Sequence, residues 1–166
     1  MKKIFSLMIC ALAVCTVITA QTMNIRVGQV TYQFPAEQTG VMNYTDGSTL
    51  NVMNKVFALT EVEEMYVDET TVVDNMVSVA YDESSAVVTV AGNVAQYLTI
   101  TTNGAHVNIA QSEDVVEEIT YTLSGSSTDG EFYMSGSYKA TVELNGLTLT
   151  NTNPVTSGAA VHIQNG

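Results

Sequence analysis

Tryptophan is absent from this chain of 166 residues, and cysteine, proline and histidine occur twice each. Both cysteines, Cys10 and Cys15, fall within the first twenty residues. Beyond them no thiol remains to form a disulfide, ligate zinc or act as a nucleophile, so burial alone must hold the chain together. Basic residues are scarce as well: five Lys and Arg stand against 17 Asp and Glu, a formal net charge of −12. Such a surface repels phosphate backbones, which removes nucleic acid from the expected partners. No apolar run is long enough to span a bilayer. The longest, Ile4 to Ile18, stops abruptly at Thr19-Ala20-Gln21-Thr22.

That run follows Lys2 and Lys3, the layout of a secretory signal peptide cleaved near Ala20. Lipoprotein processing at Cys15 is the rival reading, and the bulky Val14 just before the cysteine opposes it. Removal of residues 1–20 takes both cysteines and two of the five cations, leaving Arg26, Lys55 and Lys139. The expected protein is therefore secreted, periplasmic or held at the cell surface, is not membrane-spanning, and is more acidic than its precursor.

What the remainder does contain is alternation. Apolar and polar side chains alternate with period two almost throughout, helical periodicity is nearly absent, and Val, Thr and Tyr are abundant, so the fold class is all-β. Asp46-Gly47, between two alternating runs, predicts a hairpin because both central residues of a type I′ turn need positive φ. "ALTEVEEMYV", residues 58–67, is the one stretch where a short helical turn fits. Glu61, Glu63 and Glu64 within it read as a solvated face. From Ala86 onward the predicted inward sets are Val88 and Val90; Leu98 and Ile100; Ala105, Val107 and Ile109; Ile119, Tyr121 and Leu123; Phe132 and Met134; Ala140, Val142 and Leu144; Leu147 and Leu149; Val161 and Ile163.

Gly104, Gly125, Gly146 and Gly166 recur at intervals of 21, 21 and 20 residues, the last three closing similar alternating stretches. A period of this length holding two or three short strands predicts a coil that stacks on itself, with Asn and Gly at the bends. An antiparallel sandwich with hairpins of similar length is the alternative. Residues 117–166, with the ordered set "YTLSG…DG…Y…LNGLTLTN…GAA", resemble the opening coils of a carbohydrate-binding domain family of exported bacterial proteins, common in gut Bacteroidetes. The resemblance implies a right-handed parallel β-helix that binds polysaccharide of the cell-wall glycan class, with calcium as a candidate ligand. With the signal peptide over 1–20, the expected organisation is a 21–85 N-terminal β-rich module, 86–118 connecting strands and 119–166 as the start of the β-helix. Family members continue for many more coils, so the sequence reads as an N-terminal fragment whose uncapped last coil leaves an edge open to self-association.

The supply of catalytic residues is small. His106 and His162 fall at outward strand positions, and Lys139 is the only base available to a lyase of this architecture, so the expectation is a protein that is not an enzyme. Asp129 and Glu131 flank Gly130 in "STDGEF" and are the candidate metal ligands, since calcium accepts carboxylates without strict spacing. The candidate carbohydrate-binding residues are Tyr133, Tyr138 and Lys139. The leading reading is a non-catalytic polysaccharide-binding protein; a surface adhesin or structural stalk without a sugar ligand is the alternative, and a polysaccharide lyase the third.

Overall fold

A computed structural model describes residues 21–40 and 42–165; the signal peptide expected over 1–20 and the closing Gly166 lie outside the described residues. Fourteen strands and one short helix account for the regular structure among them. The strands are β1 (Thr22–Val27), β2 (Val30–Pro35), β3 (Asn43–Thr45), β4 (Thr49–Val52), β5 (Lys55–Ala58), β6 (Glu64–Asp68) and β7 (Met76–Asp82). After them come β8 (Ser85–Ala91), α1 (Gly92–Ala95), β9 (Leu98–Asn103), β10 (His106–Gln111), β11 (Ile119–Ser127), β12 (Glu131–Gly136), β13 (Ala140–Leu149) and β14 (Val161–Asn165). The all-β expectation holds, and no helix among the described residues is long and apolar enough to cross a membrane.

Three sheets form. The largest has the order β13-β11-β7-β8-β2-β1-β6, a second has β14-β12-β10-β9, and a third has β3-β4-β5. Local hairpins build the N-terminal part of the large sheet and the whole small one. Asp46 and Gly47 take positive φ of 54° and 66° between β3 and β4, as the hairpin signal requires, and Met53 and Asn54 (47° and 68°) do the same between β4 and β5. The 58–67 stretch makes a turn after β5 and then enters β6, while the single helical turn falls at α1. Its acids are not purely solvated, because Arg26 Nη1 and Nη2 lie 2.8 Å from Glu63 and 3.2 Å from Glu64.

From β10 onward the chain alternates between the two larger sheets. β11 pairs in parallel with both β7 and β13, and β12 pairs in parallel with both β10 and β14. Antiparallel pairs share the same sheets (β7 with β8, β9 with β10), so the sheets are mixed and not those of a solenoid. Phe132 sits beside Val161 but Ile119 beside Ala140, so the two layers advance by different lengths of chain and no single period governs both. The large sheet also takes strands from 21–85, from 86–118 and from 119–166.

The alternation read from sequence places the core correctly up to Met134 with one exception, Ile100, which is only half-buried against it. Val88, Val90, Leu98, Ala105, Val107, Ile109, Ile119, Tyr121, Leu123, Phe132 and Met134 are all buried between the large and the four-stranded sheet. Tyr121 and Phe132 meet across that gap at 6.0 Å, and burial pushes the Tyr121 hydroxyl up to about 12. Phe57 of the small sheet caps the other end, edge-on to Tyr32 at 5.1 Å and Phe34 at 6.1 Å. Beyond Met134 the inward set is only partly covered: Ala140, Val142, Leu147, Leu149 and Val161 pack half-buried against the core. Leu144 is 65% exposed and Ile163 46%, because β13 and β14 are edge strands.

The glycines need correction. Gly125 and Gly146 do not bend the chain between sheets; they lie inside β11 and β13, where the pairing shifts from Ser124 opposite Asn145 to Ser126 opposite Thr148. Such a shift is a β-bulge, whose extra residue needs the conformations glycine accepts. Gly125 has φ +83°, and a Cβ there would sit 2.0 Å from the Tyr81 carbonyl oxygen of β7. Gly146 has φ +69° with open space around it. Gly125→Ala is therefore expected to cost upwards of about 3 kcal/mol and Gly146→Ala only about 1–2 kcal/mol, the left-handed penalty alone. Urea unfolding of the two variants measures the difference, and equal losses would contradict the close approach.

Candidate functional site

Four chain reversals meet at one end of the two larger sheets: Glu83-Ser84, Asn103-Gly104-Ala105, Thr128-Asp129 and Asn153 with Val155. Together with His106 they line a cleft of about 530 Å³. From this cleft the outer face of the four-stranded sheet extends along the strands. Val107, Ile109, Phe132 and Met134 point into the core, so alternation turns His106, Asn108, Glu131, Tyr133 and Ser135 to the outer face. Register then aligns them: His106 stands beside Glu131, and Thr101, Asn108, Tyr133 and His162 form one row across all four strands.

Asp129 and Glu131, expected as metal ligands, do come together, one on each side of His106. His106 Nε2 is 3.8 Å from Asp129 Oδ1 and Nδ1 is 3.7 Å from Glu131 Oε2, and that Nδ1 is buried without a hydrogen-bond partner. Both carboxylates, however, receive N–H and O–H donors from the connection between β13 and β14. Thr152 N (3.2 Å), Asn153 N (2.8 Å) and Asn153 Nδ2 (2.7 Å) donate to Asp129. Thr156 N (2.9 Å), Ser157 N (2.6 Å) and Ser157 Oγ (2.7 Å) donate to Glu131, which is only 1% exposed. The two acids thus fasten the 151–160 connection over the end of the sheet. No group of three or more His, Cys, Asp or Glu placed to hold a metal ion occurs among the described residues.

Those donors set the acidity. Asn153 holds the Asp129 carboxyl below its ordinary value. Burial pushes Glu131 up, but the bonds from Ser157 and Thr156 outweigh it and hold this carboxyl below the usual range too.

Tyr133 lies on the outer face with its ring stacked on the His162 imidazole, centroids 5.1 Å apart and planes 27° from parallel. Its hydroxyl donates to Gln164 Oε1, which fixes the ring in place. Tyr138 and Lys139 sit elsewhere, in the connection from β12 to β13. Tyr138 is 38% exposed, and the Lys139 ammonium donates to Glu118 beside the start of β11 in the other layer. Glu118 also accepts from Thr141, and these bonds hold its carboxyl low. The sequence therefore points to Tyr133, Asp129 and Glu131 but misses His106, His162, Asn108 and Asn153. Outward alternation marks the two histidines as surface-facing, but only the register of β10, β12 and β14 brings them beside Glu131 and Tyr133.

No protein-family model, no curated protein and no solved structure matches this chain. The resemblance to a carbohydrate-binding family therefore rests on the residues quoted for it.

Because Asp129 and Glu131 have depressed folded values, the stability they contribute is present above the unfolded carboxylate range of about 4 and is lost as the pH falls through the folded values. Glu131→Ala is expected to cost about 2 kcal/mol near neutrality, since the partly exposed Thr156 and Ser157 amides lose a charged acceptor. Thermal melts across the acid range should show a shallower loss in Glu131→Gln than in the native chain. Parallel acid profiles would show that Glu131 does not hold the connection.

Proposed function

We propose that this chain is an exported, non-catalytic polysaccharide-binding protein whose ligand lies on the outer face of the four-stranded sheet. The carrying observation is the Tyr133–His162 stack, a half-buried aromatic pair on this face whose tyrosine hydroxyl is held by Gln164. Sugar rings pack their C–H groups on aromatic side chains, while neighbouring amides and hydroxyls satisfy their hydroxyl groups. Asn108 and Thr101 on the same row, and Ser135 and Gln164 on the next, supply those groups. The parallel pairing of β11 with β13 and of β12 with β14 supports a coil-like path for the chain over 119–166. The cell-wall glycan class fits an exported binder of this kind. The reading needs no calcium, because the carboxylates nearest the face already accept from amides.

Pull-down on insoluble polysaccharides tests it. Tyr133→Ala should reduce retention by about tenfold, the worth of one aromatic contact, while Lys139→Ala leaves it unchanged. Release of reducing or unsaturated ends would overturn the non-enzyme reading.

A second reading, a surface or structural protein that assembles with its own copies and takes no sugar, is favoured by the exposed Leu144 and Ile163 on two edge strands. Each β13 backbone offers unpaired N–H and C=O groups, with Glu143 as the sole charge on the strand to discourage pairing. On this reading the chain elutes as concentration-dependent oligomers, and Leu144→Lys with Ile163→Lys restores the monomer. A monomer at all concentrations would remove it.

A further inference from the structure

The polysaccharide reading leaves the charge of the ligand open, and the disposition of the cations addresses it. Three Lys and Arg lie among the described residues. Arg26 is bonded to Glu63 and Glu64, at the far edge of the large sheet from β13. Lys55 donates to the Leu98 carbonyl at 2.9 Å with its ammonium 5.2 Å from the Tyr32 ring centroid. Lys139 is bonded to Glu118. None of the three stands on β9, β10, β12 or β14, and each already has an acceptor or an aromatic face.

The charges that do border the face are negative. Glu83 and Asp129 line the cleft at its end, and Glu131 begins one of its strands. A carboxylate on a bound sugar would approach this field without a cation to receive it, and over separations within a Debye length of about 8 Å salt does not remove the repulsion. A sugar hydroxyl meets no such obstacle. It donates and accepts, and the hydroxyls of Thr101 and Ser135 and the amides of Asn108 and Gln164 do the same.

We propose, resting on the polysaccharide reading above, that the face around Tyr133 and His162 takes a neutral polysaccharide and rejects polyuronates. Affinity then comes from ring stacking and hydroxyl contacts, both insensitive to ionic strength, and Lys139 has no part in it.

The test is titration of the full chain with soluble neutral β-glucan and mannan, and with polygalacturonate and alginate, at low salt and at about 0.15 M. A neutral glycan should bind equally at both salt concentrations. Tyr133→Ala should weaken that binding about tenfold and Tyr133→Phe, which keeps the ring, much less. Binding of polygalacturonate or alginate that weakens with salt and is lost in Tyr133→Ala would overturn the neutral ligand while leaving the face as the binding site. Binding of a neutral glycan indifferent to Tyr133→Ala would overturn the site. Failure of the natively folded chain to bind any of the four overturns the neutral-ligand proposal together with the reading on which it rests.

Discussion

Strand β11 can lie between β7 and β13 only because Gly125 has no side chain, since any Cβ there would meet the Tyr81 carbonyl oxygen at 2.0 Å. Much else depends on that insertion. β11 carries Ile119, Tyr121 and Leu123, all fully buried, and Tyr121 is the ring through which the large sheet meets Phe132 of the other layer. Gln111 of β10 donates to the Tyr121 hydroxyl and Tyr81 donates to the Glu131 carbonyl, so the two layers are tied by polar as well as apolar contacts. Parallel neighbours cannot be joined by tight hairpins. The chain between β7 and β11 and between β11 and β13 must leave the sheet and return. Those excursions contain β10 and β12, so the face that holds the candidate site is a product of the parallel pairing.

The connection from β13 to β14 is the longest stretch without a strand or helix among the described residues. Residues 150–160 have no strand of their own, and a segment of that kind needs its backbone amides satisfied if it is to lie against a sheet. Asp129 and Glu131 meet that need by accepting from four of its backbone amides and from the Asn153 and Ser157 side chains. The result places Ala160 so that its carbonyl accepts from Phe132 N at 2.8 Å, and β14 starts in register with β12. His162 reaches Tyr133 through this sequence of constraints, and the ring stack is its outcome.

Alternation was enough to read the inward residues from Val88 to Met134, Ile100 alone being half-buried, because period two has one meaning on any sheet that buries one face. It was not enough to tell parallel from antiparallel pairing, which leaves the same pattern on each strand. Gly125 and Gly146 show the gap: their spacing is real and reflects β11 lying beside β13, but they occupy a bulge within the strands instead of a bend between sheets. Asp46-Gly47 was legible because a type I′ turn depends on two adjacent residues and nothing distant. For the site the same division holds. Tyr133 announced itself as an outward aromatic, whereas His106 became part of the site only through its register with Glu131, fixed by contacts 25 residues away.

The two carboxylates also show why residue type alone does not identify a cation site. Calcium needs oxygen acceptors converging on a point, and Asp129 and Glu131 supply oxygens, but the groups that converge on them are N–H and O–H donors. A cation placed at these carboxylates would have to displace Asn153 and Ser157, freeing the 151–160 connection and the strand that follows it. Binding of that kind would work against the register of β14 with β12 and so against the Tyr133–His162 platform. In this arrangement the negative charge is already committed to folding, since the same carboxylates that would hold a cation hold the connection that sets β14 in register with β12.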